Sequence, residues 1–437
     1  MDLEGLSPEG KAVLASTLWV AVWWITEAVE LSVAALLPVV LFPLSGALTL
    51  EQTTSAYGNP FIFLFLGGFI IGITIERWHL HNRIAYYIMR MIGSGERRLL
   101  LGIMLATAFI SMWISNTATA IMMLPIGMAV ATQYDGHRFG KSMMLGIAYA
   151  ASIGGMATLI GTPPNVILAG IVQEMMDVNI SFIDWMFFAT PFSAILLILT
   201  WVYLSRGLKK SIGVETQFLI ASPGPMSIAE KRTLWVFGLT AILWMTRTLL
   251  LENLIPRMDD TIIAMLGALM MFGIPAGNGK GRLLDWHTAK QLPWDVLLIF
   301  GGGLAIAKGF STTDLTDWVA LQFGQIHLNP IWVTLIVIAS INFLTEITSN
   351  TATASIMLPL LVTLGISMGL DTLPLLIGAT LAASCAFMLP VATPPNAIVF
   401  SSGMISIRDM MRAGLFLNIV SIALIFIFIY LFAHLIF

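Results

Sequence analysis

Two short polar motifs each occur twice in an otherwise apolar chain. Ser-Asn-Thr-Ala-Thr-Ala stands at 115–120 and again at 349–354, and Thr-Pro-Pro-Asn stands at 162–165 and at 393–396. Side-chain hydroxyls and amides can donate to an anion, and their oxygens can coordinate a small cation. Because proline lacks a backbone donor and blocks the preceding helical turn, a Pro-Pro pair interrupts a helix. The motifs therefore predict ion binding at interrupted helices.

The second copies follow the first at a nearly constant separation. Positions 115 and 349, where the Ser-Asn-Thr copies begin, are almost as far apart as 162 and 393, where the Thr-Pro-Pro-Asn copies begin. Phe65-Leu66-Gly67-Gly68 likewise matches Ile299-Phe300-Gly301-Gly302, at the same separation as the Ser-Asn-Thr copies. Three matches in the same order indicate an internal duplication.

The composition places the chain in a lipid bilayer. Of its 437 residues, 58% are hydrophobic and 10% are charged, and the mean hydropathy is +0.90. Stretches of about 20 apolar residues recur throughout, which is the length that spans a membrane. No basic stripe suggests nucleic acid. The single cysteine, Cys385, excludes a disulfide framework and a Cys-ligated metal site.

The basic residues indicate how the chain crosses the bilayer. Under the positive-inside rule, all but four of the 21 can be cytoplasmic, provided that 98–133 enters and leaves on the cytoplasmic side as a re-entrant hairpin. The same reasoning makes 328–369 a hairpin that enters from outside. The basic residues assigned to the cytoplasm are Arg77, Arg83, Arg90, Arg97, Arg98, Arg138, Lys141, Arg206, Lys209, Lys210, Lys231, Arg232, Lys280, Arg282, Lys290, Arg408 and Arg412.

These crossings predict an all-α polytopic membrane protein with two inverted-topology repeats. Each repeat has five crossings plus one re-entrant hairpin, with discontinuous helices at the midplane, and an odd number of crossings inverts the second repeat. The predicted first repeat is 1–205, with its hairpin at 98–133 and a broken helix at 140–176. A cytoplasmic linker follows at 206–232. The second repeat is 233–437, with its hairpin at 328–369 and a broken helix at 374–403. The amphipathic stretches 77–97 and 308–325 are predicted to lie along the membrane surface.

The interrupted helices predict the charge of the ligands. Each new helix N-terminus carries about half a positive charge, so four of them supply roughly +2. No Lys or Arg lies in 111–125, 152–170, 345–359 or 385–400. An anion there must be held by N–H groups, hydroxyls, amides and co-bound cations. A compact dianion is therefore favoured, and the carbonyl ends of the broken helices suit Na⁺.

Glu346 is the one acid near a hairpin tip. An intramembrane carboxylate is a candidate functional group, yet its counterpart in the first half is Met112. It either binds a ligand directly or accepts hydrogen bonds from backbone at the hairpin base.

The motif segments do not favour an enzyme. An intramembrane protease needs Ser with His or Lys, or paired aspartates, at membrane depth. The four motif segments contain no His, Lys or Asp. We therefore expect a transporter.

The four motifs closely resemble those of the divalent anion:sodium symporter family, which includes the INDY-type dicarboxylate transporters. The resemblance covers essentially the whole chain. It implies a sodium-coupled symporter of C4-dicarboxylates (the succinate, malate and fumarate class) that works as a homodimer by an elevator mechanism in the cell inner (plasma) membrane. Which dianion is carried stays open, as does a sodium-independent dicarboxylate or tricarboxylate exchanger on the same fold.

The resemblance also implies the ligand sets. It assigns a first sodium site to Ser111, Ser115, Asn116 and Gly161, and a second to Thr345, Ser349, Asn350 and Ala392. It assigns the substrate carboxylates to Ser115, Asn116, Thr117, Thr162, Pro163, Ser349, Asn350, Thr351, Thr393 and Pro394. Family members usually have one more N-terminal crossing than this chain. That helix belongs to the scaffold, so the expected substrate site is unaffected.

The inverted topology is testable by labelling. Lys209→Cys is expected to react with a membrane-impermeant maleimide from the cytoplasmic side alone, and Asp371→Cys from the outside alone. The Cys385→Ser background removes the native thiol. Reaction of both cysteines from the same side would contradict the inverted repeats.

Overall fold

The computed structural model describes residues 3–134, 137–209, 222–323 and 329–436, and this part of the chain is helical without a β-strand. A 3₁₀ turn at Ala56–Gly58 joins α4 to α5. The helices of the first half are α1 (Pro8–Thr26), α2 (Leu31–Ala34), α3 (Leu37–Ser45), α4 (Leu50–Ser55), α5 (Pro60–Arg77), α6 (Leu80–Ile92), α7 (Glu96–Ser111), α8 (Asn116–Ala131), α9 (His137–Gly155), α10 (Pro163–Met176) and α11 (Phe182–Leu204).

The second half continues with eleven helices among the described residues. A π-helical turn at Arg247–Leu251 lies between the first two. The helices are α12 (Ile228–Thr246), α13 (Glu252–Leu254), α14 (Asp260–Gly273), α15 (Trp286–Ala289), α16 (Trp294–Thr312), α17 (Leu315–Phe323), α18 (Pro330–Leu344), α19 (Asn350–Ser367), α20 (Thr372–Ala383), α21 (Pro394–Phe400) and α22 (Ile407–Ile436).

Several helical segments are long and apolar enough to cross a membrane. Among the described residues six qualify by length and composition: Leu50–Arg77, Phe182–Leu204, Ile228–Leu254, Trp294–Thr312, Asn350–Ser367 and Ile407–Phe432. Shorter apolar segments are Leu31–Ser45, Asn116–Ala131, Asp260–Gly273, Pro330–Leu344 and Thr372–Ala383. The chain is thus a multi-pass membrane protein. The re-entrant paths and the inversion of the second half remain predictions.

The helix interruptions fall where the motifs predicted them. Segment 98–133 is the pair α7 and α8, and 140–176 is the pair α9 and α10. In the second half, α18 and α19 cover the described part of 328–369, and α20 and α21 cover 374–403. Of the predicted linker, 210–221 lies outside the described residues.

The two predicted surface segments are shorter than expected. Residues 308–312 continue α16, and the separate helix is α17. In the first half α5 ends at Arg77 and α6 begins at Leu80. Gly309 and Phe310 in the last turn of α16 are packed inside the protein, whereas Ser311 and Thr312 are exposed. The sequence had assigned residues from 308 onwards to the surface segment.

Local sequence explains where many helices begin. Ser7, Asn59, Ser181 and Asn329 each accept a backbone N–H in the first turn of α1, α5, α11 and α18. Ser227 and Glu230 form a capping box at α12. These side chains satisfy donors that the helix itself cannot pair.

Ion pairs at the helix ends hold neighbouring helices together. Arg77 lies 2.6 Å from Asp285, and Arg83 lies 3.1 Å from Glu230 at the start of α12. The backbone N–H of Thr288 and the Arg77 guanidinium lower the pKa of Asp285 to about 2. Because the pKa of Asp285 is lower in the folded protein than in the unfolded chain, its ionised form stabilises the fold at any pH above its ordinary pKa. This stabilisation is lost as the pH falls from that value through about 2.

The motif-bearing helices pack closely on one another. Helix α9 packs against α7, α8 and α21, while α19 packs against α10, α16 and α20. Gly154 of α9 allows one of the closest approaches: a Cβ there would lie 2.5 Å from Ala108 Cα on α7. Backbone atoms of α7 cannot give way, so glycine is required for this packing.

The α7–α9 contact gives a prediction on stability. Gly154→Ala is expected to lower stability by about 1–3 kcal/mol, the usual cost of overpacking. Gly238→Ala in α12 is the matched control, because no atom lies within 4 Å of its added Cβ. It should be neutral or stabilising by at most about 1 kcal/mol. Thermal unfolding followed by tryptophan fluorescence in detergent measures both. Equal melting temperatures would contradict the packing argument.

Candidate functional site

The two Ser-Asn-Thr motifs lie where one helix ends and the next begins. Helix α7 ends at Ser111 and α8 begins at Asn116, with Ser115 as its N-cap. Helix α18 ends at Leu344 and α19 begins at Asn350, with Ser349 as its N-cap. The Ser115 hydroxyl accepts from the backbone N–H of Ala118 at 3.3 Å, whereas Ser349 makes no side-chain capping bond. Both motifs thus form partly buried helix N-termini.

A hydroxyl, an amide oxygen and a carbonyl oxygen converge at the first tip. Ser111 Oγ lies 2.6 Å from Asn116 Oδ1 and 2.7 Å from the carbonyl oxygen of Ala151 on α9. A hydroxyl has one proton, so it can donate fully to one of these oxygens at a time. Three close oxygens that share one hydrogen form an electron-rich cluster, which suits a hard cation such as Na⁺.

The second tip repeats this cluster. Thr345 Oγ1 lies 2.7 Å from Asn350 Oδ1 and 2.9 Å from the carbonyl oxygen of Ala383 at the end of α20. Both Ser111 and Thr345 are fully buried. The structure thus brings Ser111 into contact with Asn116 in the first half, and Thr345 into contact with Asn350 in the second. We name the two groups the first and second oxygen clusters.

Glycines let the first cluster approach the break after α9. A Cβ on Gly155 would lie 3.0 Å from the Asn116 amide carbon and nitrogen. A Cβ on Gly161 would lie 2.9 Å from Gly155 Cα. Gly161 is therefore held beside the residue that contacts Asn116. Its predicted counterpart, Ala392, is buried in the break after α20.

The asparagines of the Thr-Pro-Pro-Asn motifs hold the breaks closed. Asn165 Nδ2 donates to the carbonyl oxygens of Gly155, Met156 and Thr158, at 3.3, 3.2 and 2.7 Å. Asn396 Nδ2 donates to those of Ala386 and Leu389, at 3.1 and 3.0 Å. Both side chains are fully buried. Sequence reasoning assigned neither residue a role, although their repetition inside a doubled motif was the signal.

The Thr-Pro pairs begin the second half of each broken helix. Thr162 and Thr393 are N-caps in extended conformation, and the prolines occupy the first helical positions of α10 and α21. Proline at that position costs no hydrogen bond. With the two hairpin tips this makes four helix N-termini. Pro163 is half-buried and Pro394 is exposed.

Several motif hydroxyls are free for a ligand. Among the residues that the structure describes, the side chains of Thr117, Thr162, Ser349 and Thr351 make no hydrogen bond. Thr117 and Thr351 lie in the first turns of α8 and α19. A carboxylate at either N-terminus could therefore accept from backbone N–H groups and from a hydroxyl.

The motifs of the two halves lie against each other. Helix α8 packs on α21, and α10 packs on α19, so each hairpin helix contacts the broken helix of the other half. At the breaks themselves, Cys385 Sγ lies 3.8 Å from Met156 Sδ. The four predicted segments therefore form one cluster.

A cavity of about 110 Å³ borders the first hairpin tip. Ser115 and Ala118 line it on the tip, Gly72 and Glu76 on α5, and Gln291 opposite. Ser115 therefore borders open space at this tip; that the segment is a re-entrant hairpin stays a prediction.

The carboxylate of Glu346 accepts hydrogen bonds from backbone. Its donors are the backbone N–H groups of Phe387, Met388 and Leu389, and Asn418 Nδ2. The sequence left ligand binding and a backbone role open. The structure shows the backbone role, although the backbone belongs to the break after α20 and not to the hairpin base.

Comparison with known proteins places the chain among transporters. A family model described as "Sodium:sulfate symporter transmembrane region" matches residues 3–437. The chain is 43% identical over 450 residues to the sodium-dependent dicarboxylate transporter SdcS of Staphylococcus saprophyticus, covering 98% of this chain and 87% of that protein. SdcS of Staphylococcus aureus is 44% identical over 445 residues, covering 97% and 86%.

Two solved structures share the fold at low sequence identity. The Alcanivorax borkumensis YdaH transporter superposes with a TM-score of 0.64 at 14% identity, over 96% of this chain and 98% of that one. Neisseria gonorrhoeae MtrF, described within a class of antimetabolite efflux pumps, gives 0.63 at 13% identity, over 87% and 84%.

Proposed function

The chain belongs to the sodium:sulfate symporter family, and on that premise we propose that it couples the entry of Na⁺ to the uptake of C4-dicarboxylates of the succinate, malate and fumarate class. The family and the similar proteins are transporters, so the prediction that this chain is not an enzyme is confirmed. It is a multi-pass protein of the plasma membrane, as its helices and bacterial relatives indicate.

The observation that carries the proposal is the pair of oxygen clusters. Each has a hydroxyl, an amide oxygen and a main-chain carbonyl oxygen within 2.9 Å, around Ser111 in the first half and Thr345 in the second. Neutral oxygens from side chains and helix ends match the preference of Na⁺ for hard ligands. Ser115 with Gly161, and Ser349 with Ala392, complete the proposed coordination in each half. The SdcS relatives are likewise named sodium-dependent transporters.

The substrate site is proposed to lie between the two hairpin tips. Four helix N-termini supply roughly +2 in partial charge, and two bound Na⁺ add more. The free hydroxyls of Thr117 and Thr351, with the amides of Asn116 and Asn350, would each receive a carboxylate from one end. Thr162, Pro163, Thr393 and Pro394 would border the ligand at the breaks. A compact dianion fits this symmetric set without an arginine or a lysine.

We also propose that the two halves are inverted repeats that move as an elevator in a homodimer. The support is the correspondence of contacts: Ser111 pairs with Asn116 as Thr345 pairs with Asn350, at matching positions of the two Ser-Asn-Thr motifs. The side-chain amides of Asn165 and Asn396 likewise donate to matching backbone carbonyls of their breaks, those of Thr158 and Leu389. Contacts that correspond in this way are expected of repeats that alternate about one central site.

Transport into proteoliposomes tests the function. Radiolabelled succinate is expected to accumulate with an inward sodium gradient and not when choline replaces sodium, with malate and fumarate competing. Sodium-independent exchange of internal for external dicarboxylate would instead identify an exchanger. No uptake of any C4-dicarboxylate would contradict the substrate class.

The amides of the two tips give a sharper prediction. Asn116→Ala and Asn350→Ala should each abolish uptake, because each change removes a cation ligand and a donor to a desolvated carboxylate. One charge-assisted hydrogen bond is worth about 1.5–3 kcal/mol. Asn329→Ala is the control: it removes the N-cap of α18, which costs about 1 kcal/mol of stability, and should leave uptake unchanged. Near wild-type uptake by Asn116→Ala or Asn350→Ala would show that its tip does not face the ligand.

A further inference from the structure

The carboxylate of Glu346 is surrounded by hydrogen-bond donors. Oε1 accepts from the backbone N–H of Phe387 at 2.7 Å and from Asn418 Nδ2 at 2.8 Å. Oε2 accepts from Leu389 at 3.2 Å, and Met388 donates to both oxygens at 2.9 and 3.0 Å. The residue is 3% exposed. A buried carboxylate with donors on both oxygens can keep its charge without contact to a cationic side chain.

These bonds fix the peptide planes of the break between α20 and α21. The N–H of Phe387 and the carbonyl of Ala386 belong to one planar peptide and point in opposite directions. Glu346 receives the N–H, while Asn396 Nδ2 donates to the Ala386 oxygen from the other side at 3.1 Å. Gly414 of α22 closes a third side, since a Cβ there would lie 2.5 Å from Met388 Cα. The break therefore cannot rotate without losing a bond.

The same break belongs to the second oxygen cluster. Thr345 is the residue before Glu346, and its hydroxyl lies 2.9 Å from the Ala383 carbonyl oxygen at the end of α20. Ala392, the other proposed sodium residue from this segment, follows the peptides that Glu346 holds. The carboxylate thus supports the segment that joins the Ala383 carbonyl oxygen to Ala392.

The first half has no equivalent among the described residues. The residue in the matching position is Met112, whose carbonyl oxygen accepts from Thr158 Oγ1 at 2.5 Å. Ala108 stands where the second half has Asn342, which donates to the carbonyl oxygen of Cys385 at 3.1 Å. The described contacts at the break after α9 come from uncharged side chains, among them the Thr158 hydroxyl and the Asn165 amide. Among the described residues, a buried carboxylate therefore accompanies the second cluster and not the first.

We propose, on the basis of the proposed function, that Glu346 is a positioning residue for the second sodium site. It holds in place the peptides that connect the Ala383 carbonyl oxygen to Ala392 between α20 and α21, and its carboxylate favours a cation beside Thr345. The carboxylate does not touch the ion or the substrate. Its loss weakens sodium binding at the second site and leaves the substrate-facing hydroxyls in place.

Sodium-dependent thermal stability of the purified protein measures this directly. Sodium replaces choline at constant ionic strength, and the sodium concentration that gives half of the stabilisation is determined. Glu346→Gln is expected to raise that midpoint at least about fivefold, the lower end of typical coupling between sites. At saturating sodium the succinate affinity should stay within about twofold of wild type. A purely structural role would lower the melting temperature and leave the sodium midpoint unchanged.

Two further variants separate charge, position and general damage. Glu346→Asp keeps the charge but is one methylene shorter, so it cannot reach all three N–H groups, and its midpoint should lie between wild type and Glu346→Gln. Asp409→Asn, on the same helix as Asn418, removes a carboxylate that pairs with Lys141 at 2.9 Å and should not change the midpoint. If Glu346→Gln does not fold, Glu346→Asp decides.

The outcomes distinguish this proposal from the proposed function. A wild-type midpoint in Glu346→Gln, or in Glu346→Asp where that variant decides, overturns the positioning role. Sodium stabilisation of the wild-type protein without sodium-driven uptake overturns the proposed transport alone. Absence of any sodium-specific stabilisation in wild type overturns both.

Discussion

Interrupted backbone inside an apolar environment is the constraint on which the rest of this structure depends. Each break leaves N–H and C=O groups that lipid cannot satisfy, and each unsatisfied group costs several kcal/mol. The protein meets this cost with a small set of buried side chains. Asn165 and Asn396 donate to the carbonyls of the breaks, and Glu346 accepts the N–H groups of the second one. The backbone N–H and C=O groups that remain unpaired at the helix ends are available to ligands.

The same constraint accounts for the absence of lysine and arginine from the four motif segments. A lysine or arginine there would hold an anion permanently, and its own desolvation would need a partner. Helix N-termini and hydroxyls attract an anion more weakly, so a co-bound cation can decide whether the anion stays. The proposed sodium sites around Ser111 and Thr345 would place that cation beside the amides of Asn116 and Asn350. Under this proposal, sodium and substrate are coupled because Asn116 and Asn350 contact both of them.

Local patterns predicted much of this arrangement from the sequence. The doubled motifs located all four interruptions, since Pro-Pro and Ser-Asn-Thr act on their own helix. Contacts between segments that are distant in the sequence were harder to predict. The partners of Glu346 lie far along the chain at Phe387 and Asn418, and no local periodicity encodes them. The start of the second surface segment was misjudged for the same reason, because packing by other helices buries Gly309 and Phe310 at the end of α16.

The central claim is that sodium and a dicarboxylate bind to one coupled site. Calorimetry on the purified protein tests it most directly, by measuring the succinate dissociation constant over a range of sodium concentrations at constant ionic strength. Binding linkage is reciprocal, so the account predicts that sodium tightens succinate binding and that succinate tightens sodium binding by the same factor. Equal succinate affinity in sodium and in choline would contradict it.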